Sequence, residues 1–457
     1  MFYILHAIPI SQVNKSLELS LSDRTAESGL KTYLVNRRWY RWYALTVLTL
    51  VYASSNIDRQ IMGMLLEPIR LELGASDTAM GFLVGLTFAI FYATLGMPIA
   101  MLADRSNRRN IIAIAITVWS GMTALCGYAQ TFTQMAIARI GVGIGEAGST
   151  PPSHSIISDL FPPQLRGTAM GIFALGVNFG LLTAYLGGGW LSENVGWRNT
   201  FVAVGLPGLL IALLLYLTVA EPRRGAADET PDSNEDEDSA PPFREVAAYM
   251  WRVRSTRHLS LGAAVAAFVG YGFTLWIPTF FVRSHGLSPT EVGLVLALMI
   301  GLVGALGTFG AGKLADVLAR RDERWRTWVV AGAKVVYVPF LAGVFMVDDL
   351  TTALLLYVVP AFFSMFYLAP TFALIQSLVS MRMRALACSI VLFVLNIIGL
   401  GLGPQLVGIL SDYYAPQYGK ESLRMALLMM TFLNLWCAYH YFTAARTLKD
   451  DLANRPA

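Results

Sequence analysis

Apolar residues occur along this chain in long runs that only short polar stretches interrupt. A helix needs roughly 20 residues to cross a hydrocarbon layer of about 30 Å. Twelve runs reach that length, in two groups of six. The first six lie at about 41–70, 78–103, 109–130, 132–159, 166–191 and 199–220, and the second six at about 259–283, 290–315, 327–347, 351–380, 384–411 and 422–445. The pattern predicts an all-α membrane protein with twelve transmembrane helices in two six-helix lobes.

The polar stretches divide the chain into five segments. They are an N-terminal tail and interfacial lead-in at 1–40, a first lobe at 41–220, a linker at 221–258, a second lobe at 259–445 and a tail at 446–457. The linker collects Asp and Glu among Pro, Ser and Gly, and it has little apolar surface to bury. We therefore expect it to be solvated.

One polar loop occurs twice, with its first acid at Asp104 and then 212 positions later at Asp316. Each copy places a carboxylate at the end of an apolar run and two arginines shortly before the next run. These pairs are Arg108 and Arg109 in the first copy, and Arg320 and Arg321 in the second. Repetition of a six-helix unit predicts two pseudo-symmetric lobes, the architecture of many secondary transporters.

Composition and charge agree with a membrane location. The hydrophobic fraction is 55%, only 14% of residues are charged, and the mean hydropathy is +0.54. Lys and Arg are retained on the cytoplasmic side of membrane proteins. Most of the 34 basic residues fall on one side if both termini and the linker are cytoplasmic. We expect an integral membrane protein in that orientation, and the net charge of +4 gives no reason to expect nucleic acid as a partner.

Charged residues inside the predicted helices are the main functional candidates, because each costs about 2.5–3.5 kcal/mol even on lenient scales. Asp58 and Arg59 lie midway along the first helix, and Arg139 and Glu146 lie two turns apart on the fourth. Together they balance two negative and two positive charges. A functional interpretation makes one carboxylate, Asp58 or Glu146, a proton site; the alternative is that the network only joins helices.

The loop motif resembles that of the major facilitator superfamily, and Arg139 with Gly143 and Gly145 resembles its fourth-helix motif. The spinster branch, which comprises sphingolipid and lysolipid transporter-like proteins, is a narrower resemblance. The segments that carry it are Asn56–Arg59, Gly145–Ala147, Ile157–Pro162, Arg166 and Gly196–Arg198. This resemblance implies a transporter of amphipathic lipids that works by alternating access, is driven by protons, and has Asp58, Arg59, Arg139 and Glu146 in its cavity.

The second half offers apolar residues to such a cavity. Its candidate lining residues are Tyr271, Trp276, Phe362, Phe366 and Tyr367. A cavity that is polar on one side and apolar on the other would suit a cargo with a charged head and an acyl tail. The alternative is that these aromatic residues pack against neighbouring helices or lipid. Lys334, near one end of the ninth helix, is expected to extend to the lipid headgroups.

The paired loops are expected to form a cytoplasmic gate. Asp104 can face the positive N-terminal end of the eleventh helix, and Arg108 and Arg109 can pair with acids such as Asp159. In the superfamily this gate typically closes the outward-facing state. The resemblance extends that role to Asp104, Arg105 and Arg109, and the gate candidates as a whole are Asp104, Arg105, Arg108, Arg109, Asp159, Asp316 and Arg320.

Gly403 and Pro404 in the eleventh helix predict a hinge or a fixed kink. The three cysteines lie far apart inside predicted helices, so we expect no metal site, and no motif suggests a cofactor or an enzyme. The alternatives within transporters are a proton-coupled drug exporter and a carrier of organic anions or sugars. Outside that class, the chain could be a transport-inactive sensor or a lipid enzyme in the membrane. The expected partners are the bilayer, an amphipathic solute and protons, and the chain is expected to be monomeric.

Overall fold

The computed structural model describes residues 37–227 and 241–455, and the regular structure in those two ranges is helical. Eight helical stretches there are long and apolar enough to cross a membrane. Two of them, Pro163–Thr218 and Met381–Ala453, are long enough to hold two crossings each. With the first and fourth helices, which are more polar, the described residues form twelve spans. We number them 1 to 12 along the chain.

The first lobe holds spans 1 to 6. Span 1 is Arg38–Leu73, span 2 is Asp77–Val84 with Leu86–Arg105, span 3 is Arg108–Cys126, and span 4 is Phe132–Glu146 with Thr150–Leu160. Spans 5 and 6 are the two parts of Pro163–Thr218, which breaks at Gly196 (φ 78°). Glycine tolerates this positive φ, so the chain turns there with few residues.

The second lobe begins after a linker helix, Phe243–Arg252. Span 7 is Arg254–His285, and span 8 runs from Pro289–Leu296 through a π-helical segment, Ala297–Val303, to Gly304–Ala319. Span 9 is Trp325–Met346 and span 10 is Leu350–Phe363 with Leu368–Leu378. Span 11 is Arg384–Val394, a π-helical Leu395–Leu402 and Gly403–Tyr418, and span 12 is Ser422–Thr431 with Leu433–Ala453.

The prediction of twelve helices in two groups of six is confirmed, and the main difference lies in the linker. Residues 243–252 are not merely solvated chain, because Val246 and Met250 are buried in the apolar core of the second lobe. Glu221 also bonds to the first loop of the repeat, at Arg108 and Arg109. The acidic residues 228–238 lie outside the described residues.

The two lobes meet through three pairs of spans: 1 with 7, 2 with 11, and 5 with 8. Glycines make the approach close. A Cβ atom on Gly85 of span 2 would lie 2.4 Å from the carbonyl oxygen of Gly401 in span 11, and one on Gly293 of span 8 would lie 2.2 Å from that of Tyr185 in span 5. Any larger residue at these positions would push the lobes apart.

We call the end of the molecule that carries the linker and both loops of the repeat the linker end, and the opposite end the far end. Interlobe hydrogen bonds among the described residues cluster at the far end. There, the backbone N–H groups of Asp77 and Thr78 donate to the Asp412 carboxylate, and Thr290 N–H donates to Glu193. The loops at the linker end bond within their own lobes. The lobes are therefore drawn together at the far end.

Candidate transport site

Small residues bring span 4 close to its neighbours and so bury its charges. A Cβ on Gly143 would lie 2.8 Å from the carbonyl oxygen of Phe88 in span 2, and one on Gly145 would lie 2.7 Å from the backbone nitrogen of Trp119 in span 3. The alternating glycines thus let two spans pack directly on the backbone of span 4. As a result Glu146 is fully buried.

Arg59 and Glu146 form an ion pair between spans 1 and 4. The Arg59 Nε donates to Glu146 Oε2 at 2.5 Å. The Arg59 guanidinium also lies over two rings of span 2, at 4.5 Å from the centroid of Tyr92 and 5.2 Å from that of Phe88. Such cation–π contacts contribute about 0.5–2 kcal/mol each, more when desolvated. Glu146 Oε1 has no hydrogen-bond partner among the described residues.

Asp58 is the unpaired acid of this group. Its side chain is buried, and neither carboxylate oxygen has a hydrogen-bond partner within the described ranges. Arg139 Nη1 donates to the backbone carbonyl oxygen of Asp58 at 3.4 Å, and no ion pair joins its guanidinium to the carboxylate there. Thr123 of span 3 lies beside Asp58. The structure thus gathers all four predicted charges but pairs only Arg59 with Glu146.

Phe88, Tyr92 and Thr123 are parts of this site that the sequence did not indicate. Phe88 and Tyr92 are four residues apart, so they share one face of span 2 and stack at 5.3 Å. Arg139 lies 5.6 Å from the Phe88 ring, which therefore contacts both arginines. The four-residue spacing of the two aromatics was the available signal, but nothing in the sequence pairs that face with span 1 or span 4.

The predicted aromatic residues of the second lobe occupy different environments. Tyr271 is half-buried and lies close enough to Arg59 and Tyr92 to interact with them electrostatically. Trp276 is fully buried and its indole Nε1 donates to the carbonyl oxygen of Pro404 at 2.9 Å. In this conformation Tyr271 lies on the side of the first lobe, whereas the Trp276 hydrogen bond joins span 7 to span 11.

Phe362, Phe366 and Tyr367 lie around the break in span 10. Phe362 packs on Phe366 at 5.4 Å between centroids, and Phe366 belongs to an apolar cluster that includes residues of spans 8 and 9. Tyr367 is 6% exposed, and its backbone carbonyl accepts a hydrogen bond from the Thr371 hydroxyl at 2.5 Å. Phe366 is thus enclosed by packing in this conformation, and Tyr367 lies at the irregular turn itself.

At the linker end, Arg108 is the centre of a bonded cluster within the first lobe. It is 1% exposed, it pairs with Asp159, and its Nε donates to Glu221 Oε1 at 2.6 Å. Glu221 also accepts from the Arg109 backbone N–H at 2.9 Å. The pairing of Arg108 with Asp159 was expected, whereas Glu221 was assigned to a solvated linker.

The other gate candidates at the linker end are exposed or bonded locally. Asp104, Arg105 and Arg320 are exposed, and Asp316 accepts from Arg326 of its own lobe at 3.5 Å. Nearby, Arg324 and Lys449 hold the pKa of the Asp322 carboxyl below its usual range. The predicted approach of Asp104 to the start of span 11 stays a prediction for another conformation.

The far end carries an interlobe ion cluster that the sequence did not indicate. Arg283 of span 7 donates to Glu67 of span 1 at 2.6 and 2.8 Å and to Asp77 of span 2 at 2.6 and 2.7 Å. The Ser411 hydroxyl of span 11 also donates to Asp77, at 2.6 Å. One guanidinium therefore holds two acids of the other lobe. None of these residues was a candidate from the sequence, where they lie at or near the ends of predicted helices.

Gly403 and Pro404 follow directly after the π-helical segment of span 11. A Cβ on Gly403 would lie 2.2 Å from the carbonyl oxygen of Phe268 in span 7, and one on Gly81 of span 2 would lie 2.7 Å from that of Pro404. The irregularity of span 11 thus lies next to close backbone contacts with span 7 of its own lobe and span 2 of the other. Bending at this position stays a prediction.

The sequence matches the family model described as Major Facilitator Superfamily over residues 48–404. A protein named MFS-type efflux pump, from Mycolicibacterium smegmatis, is 35% identical over 416 residues, which are 90% of this chain and 94% of that protein. A probable galactarate/D-glucarate transporter of Bacillus subtilis is 26% identical over 311 residues, covering 62% of this chain and 66% of the relative.

Among solved structures, the chain is similar to a bacterial homologue of the human lysosomal transporter Spinster in an inward-facing and unoccupied conformation. The TM-score is 0.84 and the identity is 33%, and the match covers 91% of this chain and 99% of that one. The similarity therefore extends over both lobes.

Proposed function

Because the chain belongs to the Major Facilitator Superfamily and is a membrane transporter, we propose that it moves an amphipathic, lipid-like solute by alternating access, coupled to protons. The proposed cargo is of the sphingolipid or lysophospholipid class. It would act as a monomer in the bacterial inner membrane, with both termini cytoplasmic. The observation that carries proton coupling is the unpaired, buried Asp58 carboxyl beside the Arg59–Glu146 ion pair.

Proton coupling requires an acid whose surroundings change between two conformations. A buried carboxyl without a partner favours the neutral acid, and one beside a guanidinium favours the ionised form. Within one cluster, span 1 holds a carboxyl without a partner, Asp58, and span 4 holds a carboxyl beside a guanidinium, Glu146. If Arg139 turned from the Asp58 carbonyl to its carboxylate, Asp58 would release its proton. This two-state switch is what alternating access can drive.

The described conformation is closed at the far end, where Arg283 binds Glu67 and Asp77. With the linker in the cytoplasm, this is an inward-facing state, the same state as that of the spinster-related solved structure. Closure of the loops at the linker end would then form the opposite state. Asp104, Arg105 and Asp316, which are exposed here, would be available for that closure.

The lipid-like cargo is inferred from the uneven chemistry of the two lobes. The first lobe supplies the paired charges, whereas Tyr271, Phe362 and neighbouring aromatics supply apolar surface in the second. A solute with a polar head and an acyl chain can satisfy both. The solved structure is of a spinster homologue, and the spinster resemblance of the sequence implied the same class of cargo.

Two other cargo classes follow from the relatives. The Mycolicibacterium relative is named as an efflux pump, which suggests drug export, and the Bacillus relative is named for two sugar acids. An organic anion would also find three cations in the membrane interior of the described residues, the buried Arg139 and Lys334 and the largely buried Arg59. The transport test therefore includes one probe of each of these two classes beside the lipids.

The test is uptake into proteoliposomes with and without an imposed pH gradient, using labelled lysophospholipid, sphingosine-1-phosphate, D-glucarate and a cationic dye. We expect lysolipid or sphingolipid flux that the gradient accelerates. Asp58→Asn should abolish that acceleration because the side chain can no longer release a proton. The matched control is Asp450→Asn, at an exposed acid outside the charge cluster and the gate, and it should keep the acceleration.

Three outcomes would contradict the proposal. Flux in the unmodified protein that ignores the gradient would exclude proton coupling. Gradient-dependent flux that persists in both Asp58→Asn and Glu146→Gln would leave the charge cluster with a structural role only. Transport of the dye or of glucarate without any lipid flux would show that the cargo is a drug-like cation or a sugar acid and not a lipid.

A further inference from the structure

Lys334 of span 9 is a buried cation without a counter-ion. It is 2% exposed, so the expectation that it extends to the headgroups is wrong. Its Nζ lies 4.9 Å from the ring centroid of Tyr337 and 5.4 Å from that of Tyr367. The hydrogen bonds and ion pairs among residues 37–227 and 241–455 include none to Lys334. A charge in that setting is costly unless a ligand or a partner meets it.

The groups that contact or interact with Lys334 among the described residues are neutral. Cys437 of span 12 interacts with it electrostatically, and the rings of Tyr337 and Tyr367 lie against its ammonium. An ammonium between two tyrosine rings keeps its donors free for an acceptor. The site is thus prepared for a negative group that the protein itself does not supply.

The balance of charges in the membrane interior also favours an anionic ligand. Among the described residues, the interior carries the acids Asp58 and Glu146 and the cations Arg59, Arg139 and Lys334. Three cations against two acids leave one positive charge, and protonation of either acid leaves two. An anionic solute would neutralise this excess.

Tyrosines connect Lys334 to the charge cluster of the first lobe. Tyr367 interacts electrostatically with Tyr271, and Tyr271 with Arg59 and Tyr92. Tyr367 lies at the turn where span 10 breaks between Phe363 and Leu368. That turn is held by i→i+3 hydrogen bonds, as from the Phe366 N–H to the Phe363 carbonyl, so the backbone at Tyr367 is less regular than in the helical segments on either side.

We propose that Lys334, with Tyr337 and Tyr367, binds the anionic group of the transported solute. The phosphate of a lysolipid and the carboxylate of a sugar acid share the chemistry this site recognises. The inference rests on the proposed function in that it assigns the group to a transported molecule. It adds that the cargo must carry a negative charge and that this charge docks in the second lobe.

The test is direct binding of four probes to the purified full-length protein in neutral detergent. The probes are lysophosphatidylglycerol, lysophosphatidylcholine with the same acyl chain, D-glucarate and a dodecyl trimethylammonium cation. The unmodified protein should prefer an anionic probe over the zwitterionic and cationic ones. Lys334→Met should weaken anionic binding about tenfold or more and change zwitterionic binding little. Lys334→Arg should retain the preference, because the positive charge remains.

The matched control is Lys313→Met, which removes one exposed positive charge from the same lobe. It should leave all four affinities unchanged. Equal weakening of anionic and zwitterionic probes in Lys334→Met, or no weakening, would overturn the proposal. The charge preference of the unmodified protein needs no variant, so its absence would also overturn the proposal if Lys334→Met failed to fold.

Failure of this site is distinguishable from failure of the lipid proposal. Glucarate binding that depends on Lys334, without lysolipid binding, would retain the anion site and replace the cargo class. Lysolipid binding without any preference for charge would retain the cargo class and remove the site.

Discussion

At the scale of single residues, the sequence identified the buried charges but not their partners. Asp58, Arg59, Arg139 and Glu146 could be predicted because each is costly within an apolar run. Their pairing depends on side-chain direction, which spacing alone does not give. The structure pairs Glu146 with Arg59 and leaves Asp58 unpaired, so two acids that looked equivalent in the sequence are not equivalent.

This difference predicts opposite effects of two matched substitutions on thermal stability. Glu146→Gln removes the partner of Arg59 and leaves a buried guanidinium, a change that costs about 3–5 kcal/mol in buried pairs. Arg59 is 17% exposed, so the lower part of that range is expected. Asp58→Asn removes no ion pair, so the midpoint temperature of thermal unfolding should stay unchanged or rise.

The measurement is the unfolding midpoint of each purified variant in the same detergent at neutral pH. Arg59→Gln serves as a third variant, since it should reproduce the loss seen in Glu146→Gln. A larger loss in Asp58→Asn than in Glu146→Gln would show that Asp58, not Glu146, carries the structural ion pair.

At the scale of helices, the apolar runs predicted the spans because a membrane requires long helices and leaves little alternative. The interruptions within spans 2, 4, 8, 10, 11 and 12 could not be placed from the sequence. The one in span 2 lies at a close backbone contact, Gly85 against Gly401. Such a contact joins residues more than three hundred positions apart, and no local pattern encodes it.

The far-end cluster leads to a prediction for the motion of the helices. Arg283 bridges to Glu67 and Asp77 of the other lobe, whereas Arg70 contacts the same acids from within its own lobe. Arg283→Gln should therefore release the far end and increase the population that is open there. Arg70→Gln is the matched control and should leave that population unchanged.

Spin labels at Leu71→Cys and Lys420→Cys, on exposed far-end positions of the two lobes, report this opening as a longer interlobe distance. The half-buried Cys388 is replaced by Ser to avoid background labelling. An unchanged distance distribution in Arg283→Gln, or an equal shift in Arg70→Gln, would mean that the cluster does not keep the far end closed.

At the scale of the whole molecule, the sequence repeat predicted two lobes. The structure shows which features the two lobes share and which they do not. Both copies place their Asp and Arg loops at the linker end. The first builds a buried cluster around Arg108 and Glu221, whereas Asp316 and Arg320 of the second are exposed. Sequence symmetry therefore predicted the scaffold. Charges without a counterpart, such as Asp58 in one lobe and Lys334 in the other, mark where the lobes differ in chemistry.

The distribution of basic residues predicts that the linker end faces the cytoplasm. Gln130 lies in the exposed far-end loop between spans 3 and 4, and Met381 lies exposed at the linker end between spans 10 and 11. In intact bacterial cells, a membrane-impermeant maleimide should label Gln130→Cys and not Met381→Cys. Permeabilised cells should label both, which controls for the reactivity of each position. Labelling of Met381→Cys in intact cells would invert the topology, and the state closed at the far end would then be outward-facing.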